Sequence, residues 1–297
     1  MRWRRMRDTP DVIDRRGARG GGLPIPGGVR AGGGLGIVGL LIFLAITLIG
    51  GGGDGSAFDV DNQFGDQVQT PGDPGSAAIP REQDPERDLR DFSAYVFTKA
   101  QDDWEQAFGE QGRPYERAKL VLYRGGVSTG CGSASSAVGP FYCPADQRVY
   151  IDLSFYEDMA SKLGAQGDFA WAYVIAHEVG HHVQSQLGTS QEVRRLESRD
   201  PGQANELSVR LELQADCFSG VWAHSVYTAG DLEEGDVEEA TTAAAAVGDD
   251  RLQSRGGGSV DPDSFTHGTS DQRTRWFEEG RAAGEPGDCD TFSADEV

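Results

Sequence analysis

Positive charge is scarce in this chain: 27 Lys and Arg face 48 Asp and Glu, for a net charge of -21. That balance excludes nucleic acid as a partner, because phosphate binding needs clustered cations. Cysteine is also scarce, with four residues and no C-x-x-C pair, which argues against a zinc knuckle. Apolar residues make up 37%, too few for every part of a 297-residue chain to be core. The acids are dispersed with no calcium-loop spacing, and no internal repeat is found.

One long, strongly apolar run is free of charge, Gly33 to Gly52, centred on Leu35–Ile49. With its flanking glycines it reaches the roughly 20 residues a spanning helix needs. Eight arginines lie in residues 1–30 and acids follow the run. The positive-inside rule then puts the N-terminus in the cytoplasm and the bulk of the chain outside, as a single-pass membrane protein. No A-x-A-like cleavage site follows, which disfavours a signal peptide. The expected organisation is a basic cytoplasmic tail at 1–32, a transmembrane helix at 33–52, a disordered linker at 53–87 rich in Gly, Asp, Pro and Gln, and an ordered extracytoplasmic domain at 88–297.

In an oxidising compartment the even set Cys131, Cys143, Cys217 and Cys289 reads as two disulfides. Of the three possible pairings, Cys131–Cys143 with Cys217–Cys289 is favoured, because the first closes a short Gly/Ser-rich loop.

Within 88–297, Leu89–Phe108 has apolar residues at helical spacing, and residues 119–123 and 148–153 read as strands. Residues 127–140 read as a small-residue loop, and 154–163 as a short helix. The expected fold class is α+β, mostly helical with a small sheet, behind the transmembrane helix.

The chemistry concentrates in His177-Glu178-Val179-Gly180-His181, an H-E-x-x-H motif inside a helix expected at Asp168–Leu187, with Gly188 as its stop. Residues four apart share a helix face, so both histidines can reach one ion, with Glu178 beside the water that ion would hold. Ala172, Ile175, Ala176, Val179 and Val183 form the opposite, core-facing side. A catalytic zinc needs a third protein ligand. Glu212 supplies it from a second amphipathic helix near 204–226, and Asp216, four residues on, can accept a ligand histidine's ring N–H. Cys217 lies about 140° around that helix from Glu212 and should not share the ion. His182 and His224 read as structural. His267 precedes a capping box, Thr269 with Gln272, and has two readings: it reaches into a cleft to stabilise an oxyanion, or it bridges loop to core.

H-E-x-x-H followed by E-x-x-x-D resembles the gluzincin zinc peptidases. Further landmarks are Met1-Arg2-Trp3-Arg4, Asp14-Arg15-Arg16-Gly17, Gly139-Pro140-Phe141-Tyr142-Cys143-Pro144, the run from His177 to Gln184, Glu212-Leu213-Gln214-Ala215-Asp216-Cys217 and Phe265-Thr266-His267-Gly268-Thr269-Ser270. Together these resemble a bacterial neutral zinc metallopeptidase family of membrane-anchored proteins. The resemblance implies a zincin-like domain and a zinc metalloendopeptidase acting on a peptide or protein substrate. Zn2+ would be held by His177, His181 and Glu212. Glu178 would be the general base, and the strand at 148–153 the edge that a substrate backbone joins. The alternative is a non-catalytic, zinc-containing extracytoplasmic binding or scaffold protein, which would not need Glu178.

Overall fold

A computed structural model describes residues 1–6, 9–17, 79–256 and 259–297. Its body is helical, with a four-stranded sheet on one flank. The strands are β1 (Val12–Asp14), β2 (Lys119–Tyr123), β3 (Gly126–Thr129), β4 (Gly132–Ser135), β5 (Phe141–Cys143) and β6 (Arg148–Asp152). The sheet order is β1-β2-β6-β5, with β1, β2 and β6 parallel and β5 antiparallel to β6; β3 and β4 form a separate hairpin.

Strand periodicity places alternate residues on opposite faces, and both faces of β2 are covered. Leu120 and Leu122 join the main core with Val149 and Ile151 of β6. Val121 and Tyr123 turn to a smaller cluster with Ala134, Val138, Phe141 and Tyr150, closed by the β3–β4 hairpin.

The helices are α1 (Arg87–Glu110), α2 (Phe155–Asp158, continued as a wider turn over Met159–Leu163), α3 (Asp168–Leu187), α4 (Thr189–Arg199), α5 (Ala204–Thr228), α6 (Asp236–Ala246), α7 (Asp249–Arg255) and α8 (Ser270–Ala283). α3 carries the motif at the bounds its periodicity predicts and stops at Gly188, whose φ of 88° is left-handed. α8 begins with the expected capping box: Thr269 accepts from the Gln272 backbone and Gln272 accepts from that of Thr269. α5 and α8 cross closely because Gly220 has no side chain; a Cβ there would overlap the Phe277 carbonyl oxygen.

Both expected disulfides are present, Cys131–Cys143 tying the hairpin to β5 and Cys217–Cys289 tying α5 to the C-terminal segment.

Several expectations are corrected. The mostly helical α+β body with a small sheet is present, but its N-terminal transmembrane helix is not seen. Among the described residues no helix is long and apolar enough to cross a membrane, and the stretch 33–52 itself lies outside them. The first residues of the chain, read as a tail, pack on the domain: Met1 is in the main core, Trp3 packs on Phe92, and β1 pairs with β2. Backbone pairing and buried charge hold this segment, and neither leaves an apolar period to detect. The described part of the domain includes residues 79–87, ahead of the expected start at 88, and there Asp84 is bound to Arg16. The rest of the expected linker, 53–78, falls outside the described residues. The loop read at 127–140 contains the β3–β4 hairpin, whose Gly and Ser content hides its strand character. Finally, β6 is interior, hydrogen-bonded on both sides, so the expected edge strand at 148–153 is not an edge; among the described residues β5 is.

Candidate metal centre

α3 and α5 pack face to face because Gly180 offers no side chain at the crossing; a Cβ there would lie 3.0 Å from the Ala215 carbonyl oxygen. This approach brings Glu212 of α5 under the two histidines of α3. His177 Nε2 lies 3.3 Å from Glu212 Oε2, and His181 Nε2 lies 3.4 Å from Glu212 Oε1. Four-coordinate zinc with bonds of about 2.05 Å places neighbouring donors about 3.4 Å apart, so these three side chains fit the ion.

The tautomers fit as well. His177 Nδ1 is 2.9 Å from Asp216 Oδ1, and His181 Nδ1 is 2.9 Å from Gln184 Oε1. Both partners accept, so each ring keeps a proton on Nδ1, and in the neutral ring Nε2 is the atom left free to bind an ion. Gln184 is held in turn by donating to the Leu211 carbonyl at 2.6 Å.

Asp216 is the hub behind the site. It is fully buried and accepts from the Tyr173 hydroxyl at 2.5 Å and from Arg273 Nε and Nη2 at 2.8 and 2.9 Å, besides His177. Burial alone would raise its pKa, yet the Arg273 charge and His177 hold it below the usual carboxylate range. Burial likewise opposes charge on His177, but Asp216 and Glu212 raise its pKa to about 9. Glu212 is held well below the carboxylate range: the nearby imidazoles of His181, His267 and His177 outweigh its desolvation.

Glu178 differs from these. It is 7% exposed, lines the cleft, and makes no hydrogen bond to any described residue. Desolvation pushes its pKa up, against the pull of His181 and His177.

His267 lines the same cavity as His177, Glu178, His181 and Glu212, a cleft of about 930 Å³ that extends over Tyr142 and Leu211. Its Nδ1 is 2.9 Å from Thr266 Oγ1 and 3.5 Å from Asp249 Oδ1. Asp249 Oδ2 also accepts the backbone N–H groups of Thr266 and His267 at 2.7 and 2.6 Å, fixing the loop that presents the ring. The other two histidines bond away from the metal donors. His182 lies between Tyr115 and Tyr142, with Nε2 2.6 Å from the Glu116 carbonyl oxygen, and His224 bonds the Arg281 carbonyl. Cys217 is committed to its disulfide. A second acidic group, Asp168, Asp236 and Glu239, faces the Met1 nitrogen, which lies 2.9 Å from Asp168 and 3.1 Å from Asp236.

Arg273, Tyr173, Gln184 and Asp249 had not been singled out as site residues. Gln184 could have been found, since it stands one turn beyond His181. Arg273 could not, since nothing in a chain separation of 57 residues points to Asp216.

The family described as "Putative neutral zinc metallopeptidase" matches residues 1–292. The chain belongs to that family. It is 47% identical over 301 residues to the Escherichia coli (strain K12) protein YpfJ, covering 98% of this chain and 99% of that one. It is 45% identical over 191 residues to Mycobacterium bovis Mb2605, covering 61% and 64% respectively. Both relatives are described as uncharacterized. No solved structure matches the chain.

Proposed function

We propose that this chain is a zinc metallopeptidase that hydrolyses peptide bonds. The observation that carries this reading is the buried Glu178 carboxylate, which lines the cleft beside three convergent donors and has no hydrogen bond to any described residue. A structural zinc site is closed by protein ligands and gives a carboxylate in that position no task.

His177, His181 and Glu212 would hold the ion. When bound, zinc supplies a Lewis acid and lowers the pKa of a ligated water from 15.7 to about 7. Glu178 takes a proton from the water as its oxygen attacks the scissile carbonyl carbon. It then delivers that proton to the departing amine nitrogen as the C–N bond breaks. Desolvation of Glu178 suits this exchange, because it brings the carboxylate's proton affinity closer to that of its partners. His267, with Nδ1 turned toward Thr266 and Asp249, offers Nε2–H to the developing oxyanion. An extended substrate pairs with the free edge of β5, which runs along the cleft beside Phe141 and Tyr142. The two disulfides support folding in an oxidising, extracytoplasmic compartment.

The test uses the full-length chain, since its first residues are part of the fold. Glu178→Gln should bind one zinc per chain like the wild type while cleaving an unfolded protein substrate about 10²–10⁴ times more slowly. Equal cleavage by both proteins, or no cleavage of any library peptide by zinc-loaded wild type, would remove the peptidase reading.

A further inference from the structure

The N-terminal residues hold the domain by contacts that an appended tail does not make. β1 pairs in register with β2, Val12 opposite Leu120 and Asp14 opposite Leu122. Asp11 bonds Arg117 at 2.7 Å and Lys119 at 2.9 Å. Trp3 packs edge-on against Phe92 of α1, with ring centres 5.3 Å apart.

Arg16 is the pivot. Its side chain is 0% exposed, with Nη2 2.7 Å from Asp14 and 2.6 Å from Asp84, and Nη1 3.3 Å from Glu86. Asp84 and Glu86 stand immediately ahead of α1. The end of segment 9–17 and the start of segment 79–256 are thus joined side chain to side chain. A buried guanidinium with two buried carboxylates holds only as a set, because each charge offsets the desolvation of the others.

This bears on how the chain can meet a membrane. A chain that crosses once leaves its flanks on opposite sides. An ion pair of 2.6 Å cannot join groups separated by a hydrocarbon layer about 30 Å thick. We infer that residues 1–17 are an intrinsic docking strand of the metal-site domain and share its compartment. The receiving surface is the β2 edge with the start of α1. The occupant is the chain's own Asp11–Arg16. Arg2, Arg4, Arg5, Arg15 and Arg16 therefore accompany the domain, on whichever side of a membrane it lies.

Two measurements on the full chain test this, and neither reads activity or zinc. All four native cysteines are in disulfides, so an engineered thiol reports alone. Arg4→Cys marks the exposed N-terminal segment, and Tyr227→Cys marks the domain at a residue 65% exposed. Each is treated with a membrane-impermeant maleimide in intact cells, in spheroplasts and after lysis. Both thiols should become reactive in the same preparation; reactivity in different preparations overturns the inference. The second measurement uses Arg5→Lys, since Arg5 lies 2.5 Å from Asp88 and both are exposed. A carbodiimide should couple the new amine to Asp88 within one chain, read by mass spectrometry of the digest. No link, or a link found only between two chains, overturns the intramolecular docking.

Discussion

Replacing Asp216 by Asn separates what this residue does for the fold from what it does for the metal. Asn keeps the shape but removes the charge. It leaves Arg273, 3% exposed, as a buried cation whose next carboxylate is Glu212 at 3.9 Å. Breaking one side of a buried ion pair costs about 3–5 kcal/mol. At about 2–4 °C per kcal/mol for a domain of this size, the metal-free protein should melt ~6–20 °C lower. Zinc affinity should also fall. Asp216 fixes the His177 tautomer, and loss of such a partner lowers metal affinity about 10–100-fold. The double variant Asp216→Asn with Arg273→Leu removes the orphaned charge. It should recover most of the lost melting temperature and leave zinc binding weak. The assays are thermal unfolding with a chelator present and zinc competition against a fluorescent indicator. Wild-type zinc affinity in Asp216→Asn would refute the orienting role. A double variant no more stable than the single one would refute the buried-pair argument.

Other predictions concern protons, packing and the N-terminal strand. In the metal-free protein the raised His177 pKa of about 9 stabilises the fold fully below the unfolded value near 6.5, and this contribution is lost as pH rises through about 9. Since zinc displaces that proton, affinity should rise about tenfold per pH unit between roughly 7 and 9; a flat affinity profile across that window would contradict it. Gly220→Ala forces a Cβ into the Phe277 carbonyl. It should destabilise by about 2 kcal/mol or more despite the better helix propensity of Ala, as denaturant unfolding would report. Arg16→Leu strands Asp84 and leaves Asp14 with Arg90 alone, both carboxylates being buried, and should cost about 3–5 kcal/mol. Limited proteolysis should then release the N-terminal segment before the rest of the domain opens.

The motif helix was legible because its apolar residues repeat with the helical period and Gly188 ends it in a conformation other residues avoid. Glu212 was legible as a chemical need, a third ligand on another helix. Its distance to the histidines depends on the α3–α5 crossing at Gly180 and Ala215, which no local pattern records. Asp216 could be assigned a supporting role from its spacing to Glu212. That Arg273 and Tyr173 share it was not readable, since α8 reaches α5 only through the fit of Gly220 and Gly280 against facing backbone. The N-terminal segment was misread for a related reason. Arginines ahead of an apolar run follow a strong membrane pattern. Nothing in residues 1–17 taken alone shows that Arg16 will be buried between Asp14 and Asp84.

By itself, then, the amino-acid sequence determined the donor types, the helices that carry them and the cysteines that close the two disulfides. Spacing along one helix is a local property, and donor chemistry belongs to the residue. Tertiary structure alone decided the distances among His177, His181 and Glu212, the Asp216–Arg273 hub, the β5 edge along the cleft and the docking of β1. Each of these depends on two segments distant in the chain being packed against each other, and that packing is set by the fit of the whole core.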